Sequence, residues 1–158
     1  MRNREATKEE HTMIGDRIER EIVIAAPPER VWPLVAEPGF WAAEAGDATF
    51  RGTTVTQGQS MVIKNAEHGD FPMRVEKVDP PRYLACRWVS AFPGEELREN
   101  NSTLVEFTLT PEGDGTRLRV VESGFAALAT SEDNRRNIVD DHTAGWKQCF
   151  EALAARAG

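Results

Sequence analysis

Cysteine is scarce in this sequence, and its scarcity excludes two kinds of architecture. Only Cys86 and Cys149 occur in 158 residues. They lie too far apart for a CxxC metal pair and are too few for a disulfide framework, so buried free thiols are the expectation. Histidine is almost as rare. His11, His68 and His142 have no ligand spacing with one another, and Asp140-Asp141 before His142 point in different directions on a helix. No run approaches the roughly 20 apolar residues of a membrane span. The polar N-terminus lacks the apolar core of a secretory signal, so a cytoplasmic location is expected. No dense Lys/Arg cluster appears, and the net charge is −7, which argues against nucleic acid and anionic membranes as partners. There is no GxGxxG, P-loop or GxSxG. Nothing in the residues implies a cofactor or a metal.

What is present is a chain of one-domain size with 40% hydrophobic residues, enough for a core without staples. Residues 1–16 are polar and weakly periodic, and read as a flexible tail. Ile18, Ile22 and Ile24 mark a first strand from residue 17. Pro27-Pro28-Glu29 then suits a helix start, because the missing proline N–H has no partner there. Val31, Trp32, Leu34 and Val35 give that helix an apolar face, and Pro33 should keep it short or kinked. A second short helix or loop follows at Phe40-Trp41. Strands are expected at 47–54, 60–67, 71–78, 82–90, 104–110 and 116–123. Turns are expected at Gln57-Gly58, His68-Gly69-Asp70 and Glu112-Gly113-Asp114-Gly115.

The final segment changes period. Ile138, His142, Trp146, Cys149 and Leu153 recur every three or four residues, a helical stripe over 134–156. Gly145 weakens such a helix, and its small size suggests a close approach to the sheet. The sum is an α+β domain over 17–158. It has a curved antiparallel sheet of six or seven strands, one or two short helices after the first strand, and a long C-terminal helix covering one face.

Several segments carry a resemblance. Ile22 to Trp32, Pro80-Pro81-Arg82-Tyr83-Leu84 with Trp88, Gly115 to Val120 with Ser123-Gly124-Phe125, and Gly145-Trp146 with Phe150 and Leu153 fall in the order of the START-like helix-grip proteins. This is the SRPBCC, or polyketide cyclase/Bet v-like, superfamily. The set resembles the branch similar to the activator of heat-shock protein 90 ATPase homologue domain, over about residues 17–157. Pro33 and Ala42-Ala43-Glu44 depart from the usual pattern after the first helix. The resemblance implies a helix-grip fold and a cavity for lipids, sterols or polyketides. Fold alone does not fix the chemistry.

The candidate site is an aromatic lining with few polar groups. Trp32, Trp41, Trp88, Phe107, Phe125 and Trp146 come from separate elements, and Met61 and Met73 add apolar surface from the strands. Each could be plain core; together they favour a lined pocket for a small hydrophobic or aromatic ligand. Glu122 shares strand parity with Leu118 and Val120. It either points inward, where a carboxylate needs a partner, or sits in solvent at the strand end. His142 on the helical stripe either reaches the pocket or is a hydrogen-bonded structural histidine. The scarcity of inward polar groups favours binding over catalysis. The alternatives are a cyclase, dehydratase or hydrolase using Glu122 or His142 as acid/base, and a chaperone-associated module. A protein partner or homodimer is compatible with each.

Overall fold

Alternation of apolar and polar residues builds the sheet, and the alternation is strongest in its centre. The computed structural model describes residues 16–37, 54–65, 69–89, 92 and 94–157. Six strands are found among them: β1 (Arg17–Ile24), β2 (Ser60–Asn65), β3 (Gly69–Asp79), β4 (Tyr83–Trp88), β5 (Thr103–Glu112) and β6 (Gly115–Ser123). On β5, Thr103, Val105, Phe107 and Leu109 are buried, with less buried residues between them. On β6, Leu118, Val120 and Glu122 share the inward face. All neighbouring strands are antiparallel, in the order β1-β6-β5-β4-β3-β2. A register shift between Val75 and Lys77 puts a bulge in β3, a device that bends a strand and increases its twist.

Two helices complete the fold. Helix α1 (Pro28–Val35) has proline in its first turn and ends two residues past Pro33, as the cost of an interior proline requires. Its buried residues are Pro28, Val31, Trp32 and Val35. Helix α2 (Glu132–Ala157) is 26 residues long and packs against β1 and α1. The Ser131 hydroxyl accepts a hydrogen bond from the Asn134 N–H at 3.1 Å, the cap that leading serines commonly supply. Ile138, Val139, Trp146, Phe150, Leu153 and Ala157 are its buried face, so the helical stripe is the face that closes the core. The connection into α2 is fixed by Arg135, whose guanidinium donates to the carbonyls of Phe125, Leu128 and Thr130.

The fold therefore has the α+β architecture that the patterning predicts and the helix-grip arrangement that the resemblance implies, with strand boundaries displaced by one or two residues. The strand expected at 47–54 falls almost wholly outside the described residues, as do the 1–15 tail, the Phe40-Trp41 segment and the His68 turn position. One expectation fails. A Cβ built on Gly145 meets no atom within 4 Å among the described residues, so this glycine permits no close approach to any of them. The tight contact lies instead at Gly115, where a Cβ would come within 2.5 Å of the Ile24 carbonyl oxygen. Backbone cannot yield there as a flexible side chain can.

These two glycines should respond oppositely to the same change. Gly145→Ala should stabilise the protein by up to about 1 kcal/mol through helix propensity. Gly115→Ala should destabilise it by about 1–3 kcal/mol through forced backbone displacement. Urea unfolding midpoints of the two variants check both; a destabilised Gly145→Ala would mean that an unseen neighbour occupies that face.

Candidate functional site

A carboxylate on the inward face of the sheet organises the site. Glu122 is fully buried, at 0% exposure, on a strand whose flanking inward residues are Leu118 and Val120. Strand parity puts it on their face, and the strand stays buried to that position. Left without partners, a buried charge of this kind costs several kcal/mol or protonates. Here the carboxylate is met from three directions. The Trp88 indole at the end of β4 donates from Nε1 to Oε2 at 3.1 Å, and the Thr103 hydroxyl at the start of β5 donates to the same oxygen at 2.6 Å. From α2, the Trp146 indole donates to Oε1 at 2.8 Å. His142, one helical turn earlier, places Nδ1 2.8 Å from Oε2 and 3.0 Å from Oε1.

Strand register explains the convergence. Trp88 pairs with Thr103 across β4 and β5, and Val105 pairs with Glu122 across β5 and β6. Trp88, Thr103 and Glu122 thus stand on adjacent strands at one end of the sheet. After β6 the chain turns at Gly124, whose φ of 98° lies in the left-handed region that glycine adopts without a Cβ penalty. That turn sends Phe125 back into the core, where it is fully buried. The His142 ring is consequently flanked by Trp88, at 5.6 Å between ring centroids, and by Phe125 at 5.7 Å. Phe71 lies 5.7 Å from Trp88, and Phe107 lies 5.7 Å edge-on to Trp146.

The electrostatics follow from the donors. Burial alone would raise the Glu122 pKa, but the charge and hydrogen bond of His142 and the bonds from Thr103 and Trp146 outweigh it and hold Glu122 below its ordinary value. Burial alone would lower His142; the charge and hydrogen bond of Glu122, with the charge of Asp141, raise it instead. Two indoles can only donate to this carboxylate and the Thr103 hydroxyl donates as well, so the ionised form is the one these bonds favour. Between pH 4.5 and 6.5 the pair is then an imidazolium and a carboxylate. The thiols do not share this environment: burial pushes Cys86, with the charge of Glu76 adding to it, and Cys149 up to about 12, so neither is an activated nucleophile.

Most residues expected at the site are brought together. Trp88, Phe107, Glu122, Phe125, His142 and Trp146 form one connected cluster through the contacts above. Trp32 and Met73 are buried in the same core, and Met61 is partly buried against it. Trp41 lies outside the described residues. Of the two alternatives for Glu122, inward burial is the one realised; His142 is hydrogen-bonded as a structural histidine would be, yet its side chain keeps 13% exposure. Thr103 escaped the sequence reading. Its signal was present: a threonine opening an alternating strand, on the same parity as Val105 and Phe107. Among the described residues no group of three or more His, Cys, Asp or Glu side chains could hold a metal ion.

A curved antiparallel sheet closed by one long C-terminal helix defines the helix-grip class. Residues 25–158 match the family described as Activator of Hsp90 ATPase homolog 1-like protein, and the chain belongs to that family. Among solved structures, protein MLL2253 from Mesorhizobium loti superposes with a TM-score of 0.67 at 25% identity, over 88% of this chain and 94% of that one. DynU16, a protein of the dynemicin biosynthetic locus, gives 0.64 at 23% identity, over 89% of this chain but 46% of its own. The Aha1 dimer from Colwellia psychrerythraea gives 0.66 at 17% identity, over 89% and 95%. No curated protein matches the sequence.

The pair makes stability depend on pH in a definite sense. Glu122 is depressed below 4.5, so its contribution is complete above that value and is lost as pH falls through the lowered one. His142 is raised above 6.5, so its contribution is complete below that value and is lost as pH rises through the raised one. The pair's contribution should therefore be complete between 4.5 and 6.5 and shrink on both sides. Glu122→Gln, which turns an amide N–H toward donors, should cost about 3–5 kcal/mol in that window. Urea midpoints across pH for parent and variant check this; parallel profiles for the two would refute the ion pair.

Proposed function

We propose that the protein binds a small hydrophobic or aromatic molecule between the concave sheet and α2. The observation that carries this reading is the Glu122–His142 pair set among aromatic rings. A binding site of this kind is mostly apolar, with a few fixed polar groups that set orientation. Trp88, Phe125 and Trp146 supply stiff apolar surface, while His142 is the polar group of the cluster that retains exposure. The family and fold support the same reading, and DynU16, which shares the fold, comes from a biosynthetic locus.

The other readings draw less support. Glu122 is fully buried and already accepts from two indoles and a hydroxyl, which disfavours it as an acid or base, so an enzymatic reading would rest chiefly on His142. A surface-acting chaperone module would be served by a contiguous apolar patch. The exposed large hydrophobics among the described residues are Val23 and Val62, on strands at opposite ends of the sheet order.

Tryptophan emission reports the proposed site directly, since Trp88 and Trp146 belong to it. Titration with naphthalene-type probes should give saturable quenching. A probe held at about 100 times its Kd should raise unfolding free energy by about 2.7 kcal/mol. Native mass spectrometry of protein purified from its host should reveal a retained small molecule. A panel of apolar probes that neither quench nor stabilise, with no retained mass, would defeat the ligand-binding reading.

A further inference from the structure

The Glu122 carboxylate occupies one nitrogen of His142 and leaves the other to act. Nδ1 faces the carboxylate at 2.8 Å, and among the described residues no hydrogen bond reaches Nε2. The two ring nitrogens of imidazole diverge, so Nε2 is directed away from Glu122. The ring cannot easily turn over. Trp88 and Phe125 flank it, and rotation would break the bond to a buried charge. The carboxylate accepts from two indoles and a hydroxyl, bonds that favour its ionised form, and its charge in turn favours the imidazolium of His142. His142 is the cation within reach. An imidazolium carries a proton on both nitrogens, which makes Nε2–H a fixed donor on a side chain that keeps 13% exposure and is flanked by the rings of Trp88 and Phe125.

We propose that His142 Nε2–H is the polar anchor of the ligand site, and that the ligand is a hydrophobic or aromatic molecule carrying an acceptor oxygen, best satisfied by a carboxylate or an enolate. This rests on the ligand-binding reading above and specifies its chemistry. The charged groups acting on His142 are Glu122 from β6 and Asp141 from its own helix; Trp88 and Phe125, packed against its faces, are uncharged. Glu122 does not touch the ligand. It is a positioning residue that fixes which nitrogen points outward and keeps the proton on it. A charge-assisted hydrogen bond in a dry site is worth more than a neutral one, so an oxygen-bearing ligand should be selected over a hydrocarbon of the same shape.

The test uses the paired probes 2-naphthoate and 2-methylnaphthalene, which share the naphthalene ring, with the full chain at about pH 6, below the raised His142 value. The parent should bind the carboxylate about tenfold more tightly than the hydrocarbon. His142→Phe should abolish that preference. Nitrogen-15 NMR of histidine in the parent protein, which needs no variant, should show the Nε2 resonance moving on addition of 2-naphthoate with Nδ1 held. Equal binding of the two probes by the parent, a preference that survives in His142→Phe, or an unmoved Nε2 resonance on saturation would each overturn the proposal and leave ligand binding standing. Failure of both probes to bind would remove the ligand site and the anchor together.

Discussion

A negative charge placed in the middle of an apolar core has to be balanced where it stands. Glu122 is that charge, and the geometry around it reads as the consequence. It draws one donor from the end of β4, one from the start of β5 and two from α2. Sheet and helix are thereby fixed to each other by directional bonds, beyond the apolar contact of Trp146 with Phe107 and Phe150. Apolar packing tolerates sliding by a fraction of a residue; hydrogen bonds to one carboxylate do not. The polar cluster thus sets the height of α2 along the sheet, and apolar burial supplies most of the driving force.

Polar pairing also continues on the opposite face of the sheet, with a different purpose. Arg117 bonds Glu21 and Glu112, and Arg119 bonds Glu19. These side chains are about 40% exposed, and solvent and salt weaken such pairs to a fraction of a kcal/mol each. They keep the outer face soluble and mark the β1–β6 register. Tyr83 and Glu106 make a comparable pair across β4 and β5. One face of the sheet is therefore specified by few strong interactions and the other by several weak ones.

Much of this was legible in the sequence because the sheet is regular. Alternation in 104–110 and 116–123 put Glu122 on the parity of Leu118 and Val120, while leaving open whether the strand end turned it inward or into solvent. The stripe from Ile138 to Leu153 located the covering face of α2. The site as a set of bonds was not legible. Whether Glu122 meets Trp88, Thr103, His142 or none of them depends on strand register and on the height of the helix, and no local pattern encodes either. Thr103 was missed for this reason: its parity was readable, its partner was not. Gly145 shows the opposite error, in which a local oddity suggested a tertiary contact. The contact belongs to Gly115, where it is set by the chain crossing at Ile24.

The pairing of β1 with β6 has a consequence for the growing chain. Arg119 and Glu19 are 100 residues apart in sequence, and β1 has no other partner strand among the described residues. At about 5–20 residues per second, synthesis leaves β1 waiting roughly 5–20 s for the strand that will hold it. The hairpins from β2 to β5 have their partners close behind and can form in the interval. The alternating Ile18, Ile22 and Ile24 of β1 are meanwhile unpaired, and the charged Arg17, Glu19, Arg20 and Glu21 interleaved with them are the kind of residue that discourages strand edges from joining a neighbour's. Those charges guard the first strand of the nascent chain long before Glu19 and Glu21 meet Arg119 and Arg117.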